Sequence, residues 1–282
     1  METHVFIIVL LAALLHATWN AFIKADSNRL LFMATMMASG GLAALGSTLV
    51  LPLPAIESWP YILLSIVLHQ GYVLCLLLAY RFGDLSHVYP LARGSAPLIV
   101  AMFAVTLANE TLSHLETIAV LLMAVGIMSL SLTRGTQKLR DPWAVVFALG
   151  AGLFIAAYTL TDGIGVRLSG NAHGYSAWMI GLEWIPITVY MLATGRITGL
   201  QQIRRIWKPA LAIGLMSVAA YWAVIWAMSV APIALVAALR ETSIIFAVLF
   251  GVLFLKERLS LMRLAATAST LLGAVLLKVG RP

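Results

Sequence analysis

Charge is scarce in this chain of 282 residues. Lys and Arg number 18 and Asp and Glu 11, together 10% of the chain, while 62% is apolar and the mean hydropathy is +0.98. Soluble domains carry about 25% charged and about 45–50% apolar residues. Too few polar residues remain to cover a water-soluble fold of this size or to build a large extramembrane domain. A disordered chain, which needs low hydrophobicity and high charge, is excluded as well. The lone cysteine, Cys75, lies in an apolar stretch and permits neither a disulfide framework nor a thiolate metal site. No phosphate-cradling Gly-rich loop with Lys and Ser/Thr occurs, and no zinc-protease helix signature, so ATP hydrolysis by this chain is not expected and no cofactor is implied. The composition is that of an all-α integral membrane protein. The net charge of +7 and the pI near 9.8 are then read as basic loops rather than a nucleic-acid surface.

A bilayer-crossing helix takes about 20 mostly apolar residues. Apolar runs fall at 4–23, 30–51, 59–80, 85–108, 113–132, 142–161, 173–194, 209–230, 232–255 and 260–279. They are too long and too uniformly apolar for the alternating strands of a barrel, and predict ten transmembrane helices. The first run resembles a signal-peptide core. Met1 to His4 holds no Lys or Arg, and no small-x-small cleavage site follows, so it reads as a retained span. Pro142, Pro209 and Pro232 stand at expected first turns, and Ser113 and Ser260 at expected N-caps. Pro90, Pro97 and Pro186 fall inside spans, where a kink is expected.

Shifting the chain by 147 residues matches its halves without a gap. Arg93 falls on Arg240, Glu110 on Glu257, Ser113 on Ser260 and Gly126 on Gly273. A repeat of five helices has an odd number of spans, so its second copy enters the membrane inverted. The expected organisation is a first five-helix repeat over 1–132, a basic connecting loop over 133–141 and a second repeat over 142–282. Inverted repeats place a binding site near the bilayer midplane where they meet.

The doubled pattern Glu110-Thr111-Leu112-Ser113…Gly126 and Glu257-Arg258-Leu259-Ser260…Gly273 resembles the EamA type of the drug/metabolite transporter superfamily. The stretch His16-Ala17-Thr18-Trp19-Asn20, with Lys24 beyond it, is similar to the first helix of such proteins, and Gly83 to Gly94 to their fourth. The resemblance spans the chain. It implies a ten-helix secondary transporter and leaves the substrate open, because members export amino acids, sugars, nucleotides and drugs.

Two of the 18 basic residues, Arg93 and Arg240, sit inside spans. Arg167, Lys278 and Arg281 fall in connections on one side, and the remaining thirteen on the other. The positive-inside rule puts the thirteen in the cytoplasm and both termini outside. The resemblance implies termini inside. The charge count is followed here, because an inverted repeat can be inserted either way up.

A midspan charge costs about 2.5–3.5 kcal/mol on insertion scales. Arg93, Glu183, Arg240 and Glu241 nonetheless fall deep in spans. One reading is a structural ion pair, such as Glu183 with an arginine. The other is that the repeat-related arginines face a central cavity and bind a carboxylate, phosphate or phosphonate through their forked donors. Tyr89 lies one turn before Arg93 on the same face. Glu183 or Glu241 is a candidate for a coupling proton, since a carboxylate held out of water can change protonation in the working range. Glu241 has a neighbouring helix as its other expected contact.

His16, Asn20 and Lys24 form one polar stripe that lines the cavity or bonds a neighbouring helix, and Lys24 also fits an interfacial snorkel. Trp222 and Trp226 share a face and could stack on a substrate or pack, while His69 reads as an interhelical donor. Trp59, Trp143 and Trp207 read as interfacial anchors. Ser269 and Gly273 make a small-xxx-small pair, used inside the fold or at a homodimer contact.

Asp162-Gly163-Ile164-Gly165-Val166-Arg167 is similar to the start of the CDP-alcohol phosphotransferase signature. No aspartate follows Arg167, so that metal site cannot be built. The segment reads instead as the glycine-assisted close of the sixth helix, with Asp162 near water. The expected function is a secondary transporter of a small polar metabolite, an amino acid or related organic anion, working by alternating access in the cytoplasmic membrane as an exporter. The first, third, fourth and sixth to ninth helices would line its path. The rivals are a membrane-embedded enzyme of lipid headgroups and a non-transporting membrane subunit.

Overall fold

The computed structural model describes residues 1–25, 29–132, 141–194, 200–253 and 260–280. All secondary structure among them is helical: α1 (Thr3–Ala25), α2 (Arg29–Ser47), α3 (Trp59–Phe82), α4 (Leu85–Leu107), α5 (His114–Ser129), α6 (Pro142–Leu168), α7 (Ala172–Ala193), α8 (Leu200–Val230), α9 (Ile233–Arg240), α10 (Ser243–Leu253) and α11 (Leu261–Val279). Helices satisfy their backbone hydrogen bonds internally, which a lipid environment demands. Eight segments are long and apolar enough to cross a membrane, with α9 and α10 counted as one, and two further apolar helices, Leu31–Ser47 and His114–Ser129, are shorter. Leucines and valines such as Leu11, Val67, Leu77, Val125 and Leu271 are more than half exposed, as the lipid-facing surface of a multi-pass membrane protein must be.

Helix α6 packs along α3 and α4, α2 along α7 and α8, α1 along α8, and α5 along α11. At the last contact Gly126 abuts Ser269, and Gly273 abuts Met123, so the small-residue stripe is occupied within the chain. The most enclosed element is α9, with Ile233 to Leu239 all buried.

Punctuation follows the sequence at several ends. Pro142 takes the first turn of α6. Ser113 and Ser260 cap α5 and α11, accepting from the N–H of Glu116 and Arg263. Glu116 returns a bond to Ser113 N–H at 2.7 Å, completing a capping box.

Four expectations are corrected. Pro209 lies inside α8, which begins at Leu200 rather than at the proline. The second apolar run leaves the helix after Ser47, in a turn over Thr48–Val50. The sixth helix does not close at Asp162. It continues to Leu168, because Gly163 and Gly165 serve as contact points for Ile233 and for Tyr61 and Tyr175 rather than as a turn. The ninth run is not one helix: α9 stops at Arg240, and Glu241 and Thr242 form a tight turn before α10. There the N–H groups of Glu241 and Thr242 reach back three residues, to Ala238 and Leu239, and the Thr242 hydroxyl adds a 2.7 Å bond to Leu239 O.

Candidate functional site

The broken span carries the site. Its turn directs Glu241 onto α4, where both it and Arg93 are buried. Arg93 Nε donates to Glu241 Oε2 at 3.1 Å. Nη2 lies 3.0 Å from Oε1 but lacks hydrogen-bond geometry, so Nε anchors the pair. The structural ion pair is therefore Arg93 with Glu241, not an arginine with Glu183. Tyr72, Tyr89 and Tyr158 lie within electrostatic reach of Arg93.

Arg240, the last residue of α9, is differently placed. It is half-buried, and no described carboxylate lies within ion-pairing distance of its guanidinium, which sits over the Tyr221 ring at 5.2 Å from the centroid. Arg93 forms the ion pair with Glu241, whereas Arg240 lies within electrostatic reach of the same carboxylate without pairing with it. His16 lies within electrostatic reach of both. Its ring meets Trp19 edge-on at 5.0 Å, and its Nε2 is buried without a hydrogen-bond partner.

Behind Tyr221 stands a second centre. Asp162 is completely buried, not near water as its sequence context suggested. It accepts from Tyr175 Oη at 3.0 Å and from Tyr221 Oη at 2.5 Å. The His69 ring stacks on Tyr158 at 3.8 Å and meets Tyr221 edge-on at 5.7 Å. Its Nδ1 is 2.9 Å from Ser65 O, and its Nε2 is 4.0 Å from Glu183 Oε1. The hydrogen bonds of the His69 ring thus stay within α3, and its contact with Glu183 of α7 is longer than a hydrogen bond. Glu183 also receives the Gln70 amide on its backbone carbonyl at 3.4 Å.

Other sequence candidates are spent elsewhere. Asn20 Nδ2 donates to His16 O at 2.8 Å within its own helix. The indole N–H of Trp222 donates to His173 Nδ1 at 3.0 Å, and the two rings lie 6.2 Å apart. The Lys24 side chain and the second Glu-x-Leu-Ser copy at Glu257 lie outside the described residues.

Five residues brought together here were not read as site residues from the sequence: Asp162, Tyr72, Tyr158, Tyr175 and Tyr221. The signal for Asp162 was the apolar pattern continuing past it to Leu168, which makes it an interior position of a 27-residue helix. The tyrosines carried none, since only packing shows which of the chain's 8 tyrosines meet.

The first Glu-x-Leu-Ser copy ties one end of the bundle. Asn109, at φ 51°, holds the left-handed conformation that asparagine tolerates better than most residues. Next to it Glu110 accepts from the N–H groups of Ile233 at 2.6 Å and Ala234 at 3.2 Å, filling the open donors of the α9 N-terminus. Arg167 bonds Glu110 at 2.7 Å and also Met228 O and Ala231 O, the last carbonyls of α8 and its turn. Glu110 and Arg167 thus fix the start of the helix whose other end bears Arg240.

No group of three or more His, Cys, Asp or Glu among the described residues is placed to hold a metal ion. The chemistry on offer is one unpaired guanidinium, a ring of tyrosines and enclosed carboxylates.

No curated protein matches the chain. One solved crystal structure, of a protein without further description, shares 16% identity over 100% of both chains at a TM-score of 0.80, which shows a common fold. Residues 142–279 match the model of the EamA-like transporter family. That stretch is similar to the EamA-like transporter family, which is consistent with the drug/metabolite transporter superfamily that the chain's own motifs resemble.

Proposed function

We propose that this protein is a secondary transporter that moves a small polar metabolite, an amino acid or related organic anion, across the cytoplasmic membrane by alternating access, as an exporter. The observation that carries this is Arg240: a cation at the broken midpoint of a span, with no described carboxylate within ion-pairing distance and a tyrosine face beneath it. A guanidinium there can take a carboxylate bidentately, and discontinuous helices at the midplane are where transporters bind substrate. Arg93, held by Glu241, shapes the opposite wall with Tyr89 and His16. Asn20 and Trp222 are given packing roles. Glu183 and Glu241 are candidate carriers of a coupling proton.

The architecture in this reading is ten spans in two inverted five-helix repeats, 1–132 and 142–282, joined by a basic loop. Matched geometry 147 residues apart supports it. Ser95 Oγ bonds Ala92 O at 3.1 Å where Thr242 Oγ1 bonds Leu239 O at 2.7 Å. Ser113 and Ser260 cap their helices alike, and Gly126 and Gly273 both seat the α5–α11 contact. The basic loops face the cytoplasm and the termini the outside. A reporter fused at Pro282 that is active only in the cytoplasm would reverse that orientation.

Purified protein in sealed vesicles tests the function. Accumulation of unmodified amino acids or carboxylates across the vesicle membrane is the expected result. Chemical conversion of a lipid or metabolite without flux would move the protein to the enzyme class.

A further inference from the structure

Asp162 is a carboxylate in the middle of the bundle that no described cation neutralises. The groups facing it are Ser65 and His69 from α3, Tyr175 and Glu183 from α7, and Tyr221 from α8. On the α9 side the Ile233 side chain packs against its neighbour Gly163. An ionisable residue in such a place is a functional-site candidate by default, because keeping it there without a counter-ion is costly. Its position relative to the anion site is specific. The hydroxyl of Tyr221 is bonded to Asp162, and the face of the same ring supports the Arg240 guanidinium.

We propose that Asp162 is the proton-binding site of this transporter, and that Tyr221 links it to Arg240 so that a proton and the substrate anion bind together. The inference rests on reading the chain as an anion transporter. With Asp162 ionised, Tyr221 donates to it, and a phenol bonded to a carboxylate is electron-rich at its face. That face and the charge behind it hold Arg240 against the ring and compete with an incoming anion. A proton taken from water onto the Asp162 oxygen facing Tyr221 reverses the bond. The carboxyl then donates, the phenol oxygen accepts, and the hold on Arg240 weakens. By linkage the anion strengthens proton binding by the same factor. One proton and one monoanion bind together and leave together, so the net charge of the site is the same empty and loaded, and efflux runs electroneutrally down the metabolite's outward gradient.

Asp162 fits this role better than the other two carboxylates. Both oxygens of Glu241 face Arg93, so protonating it breaks the buried pair. The Glu183 carboxylate lies 4.0 Å from His69 Nε2, whereas the hydroxyl of Tyr221, the ring that carries Arg240, bonds Asp162.

Infrared titration of the purified protein in detergent tests the proposal without any substrate. Wild type is expected to show a protonated-carboxyl stretch that grows on acidification and is missing from Asp162→Asn. Arg240→Gln removes a nearby positive charge and should move the midpoint of that band upward by roughly one pH unit. Tyr221→Phe keeps the carboxyl and the packing, and should displace the band and shrink the Arg240 effect. It keeps the test open if Asp162→Asn does not fold. A band that persists in Asp162→Asn, or a midpoint that Arg240→Gln leaves in place, overturns the proposal. The two readings fail separately. Arg240-dependent flux without the Asp162 band rejects the proton site alone, whereas the linked band in a protein that moves no anion rejects transport.

Discussion

Replacing Glu110 by alanine should unfasten α9 from the rest of the bundle. The Glu110 side chain is only 5% exposed, and its oxygens serve three donors: Ile233 N–H, Ala234 N–H and Arg167 Nη2. Removing one partner of a buried charged pair costs about 3–5 kcal/mol. Part of that is relieved here, because Arg167 keeps the carbonyls of Met228 and Ala231 and is 31% exposed. The two amides at the start of α9 have no such alternative, and each unmet buried donor costs about 1–3 kcal/mol. A loss of about 3 kcal/mol follows, which on the scale of large soluble domains lowers Tm by about 6–12 °C. Glu110→Gln should lose about half as much, since the two bonds on Oε1, from Ile233 and Arg167, can persist while the charge and the Ala234 bond do not. The assay is thermal melting of the purified protein in detergent, followed by its 8 tryptophans. A double-mutant cycle with Arg167→Gln should return a coupling of about 1–2 kcal/mol. An alanine variant that melts with wild type, or effects of Glu110→Ala and Arg167→Gln that simply add, would refute the reasoning.

Arg93→Gln should strand Glu241 in the bundle and cost about 3–5 kcal/mol, and adding Glu241→Gln should recover most of it, as read by the same melts. Gly126→Ala drives a methyl into the Ser269 side chain and should lower stability by about 1–3 kcal/mol, with Ser269→Gly restoring it. Trp222→Phe removes a bond to His173 and leaves Arg240 untouched, so vesicle flux of a transported anion should stay at the wild-type rate.

Much of the fold was legible because the bilayer imposes it. Apolar run lengths located the helices, and Ser113, Ser260 and Pro142 marked three of the starts. Pro209 misled because a proline tolerated at a first turn is also tolerated inside a long helix whose neighbours compensate. The break at Glu241–Thr242 left no proline or glycine behind. It arises from i−3 bonding and a threonine hydroxyl, which composition does not reveal. The scarcity of charge drew attention to Arg93, Glu183, Arg240 and Glu241, two of which, Arg93 and Glu241, meet as an ion pair. Which carboxylate pairs with which arginine is a matter of helix rotation, and that depends on packing. Asp162 was misplaced because glycines beside it resembled a helix end, whereas here they admit Ile233 and Tyr175 side chains against α6. The Glu-x-Leu-Ser pattern was visible as a repeat, but its use as a cap for α9, 123 residues away, is tertiary information.

The central claim is that Arg240 is the anion receptor and Arg93 a structural partner. Flux of a panel of radiolabelled amino acids and small carboxylates into sealed vesicles, compared for wild type and Arg240→Gln, tests it most directly. Losing a charge-assisted bidentate contact of about 1.5–3 kcal/mol predicts a flux lower by about 10–100-fold at limiting substrate, with the variant still inserted and melting near wild type. Undiminished flux in Arg240→Gln would contradict the account.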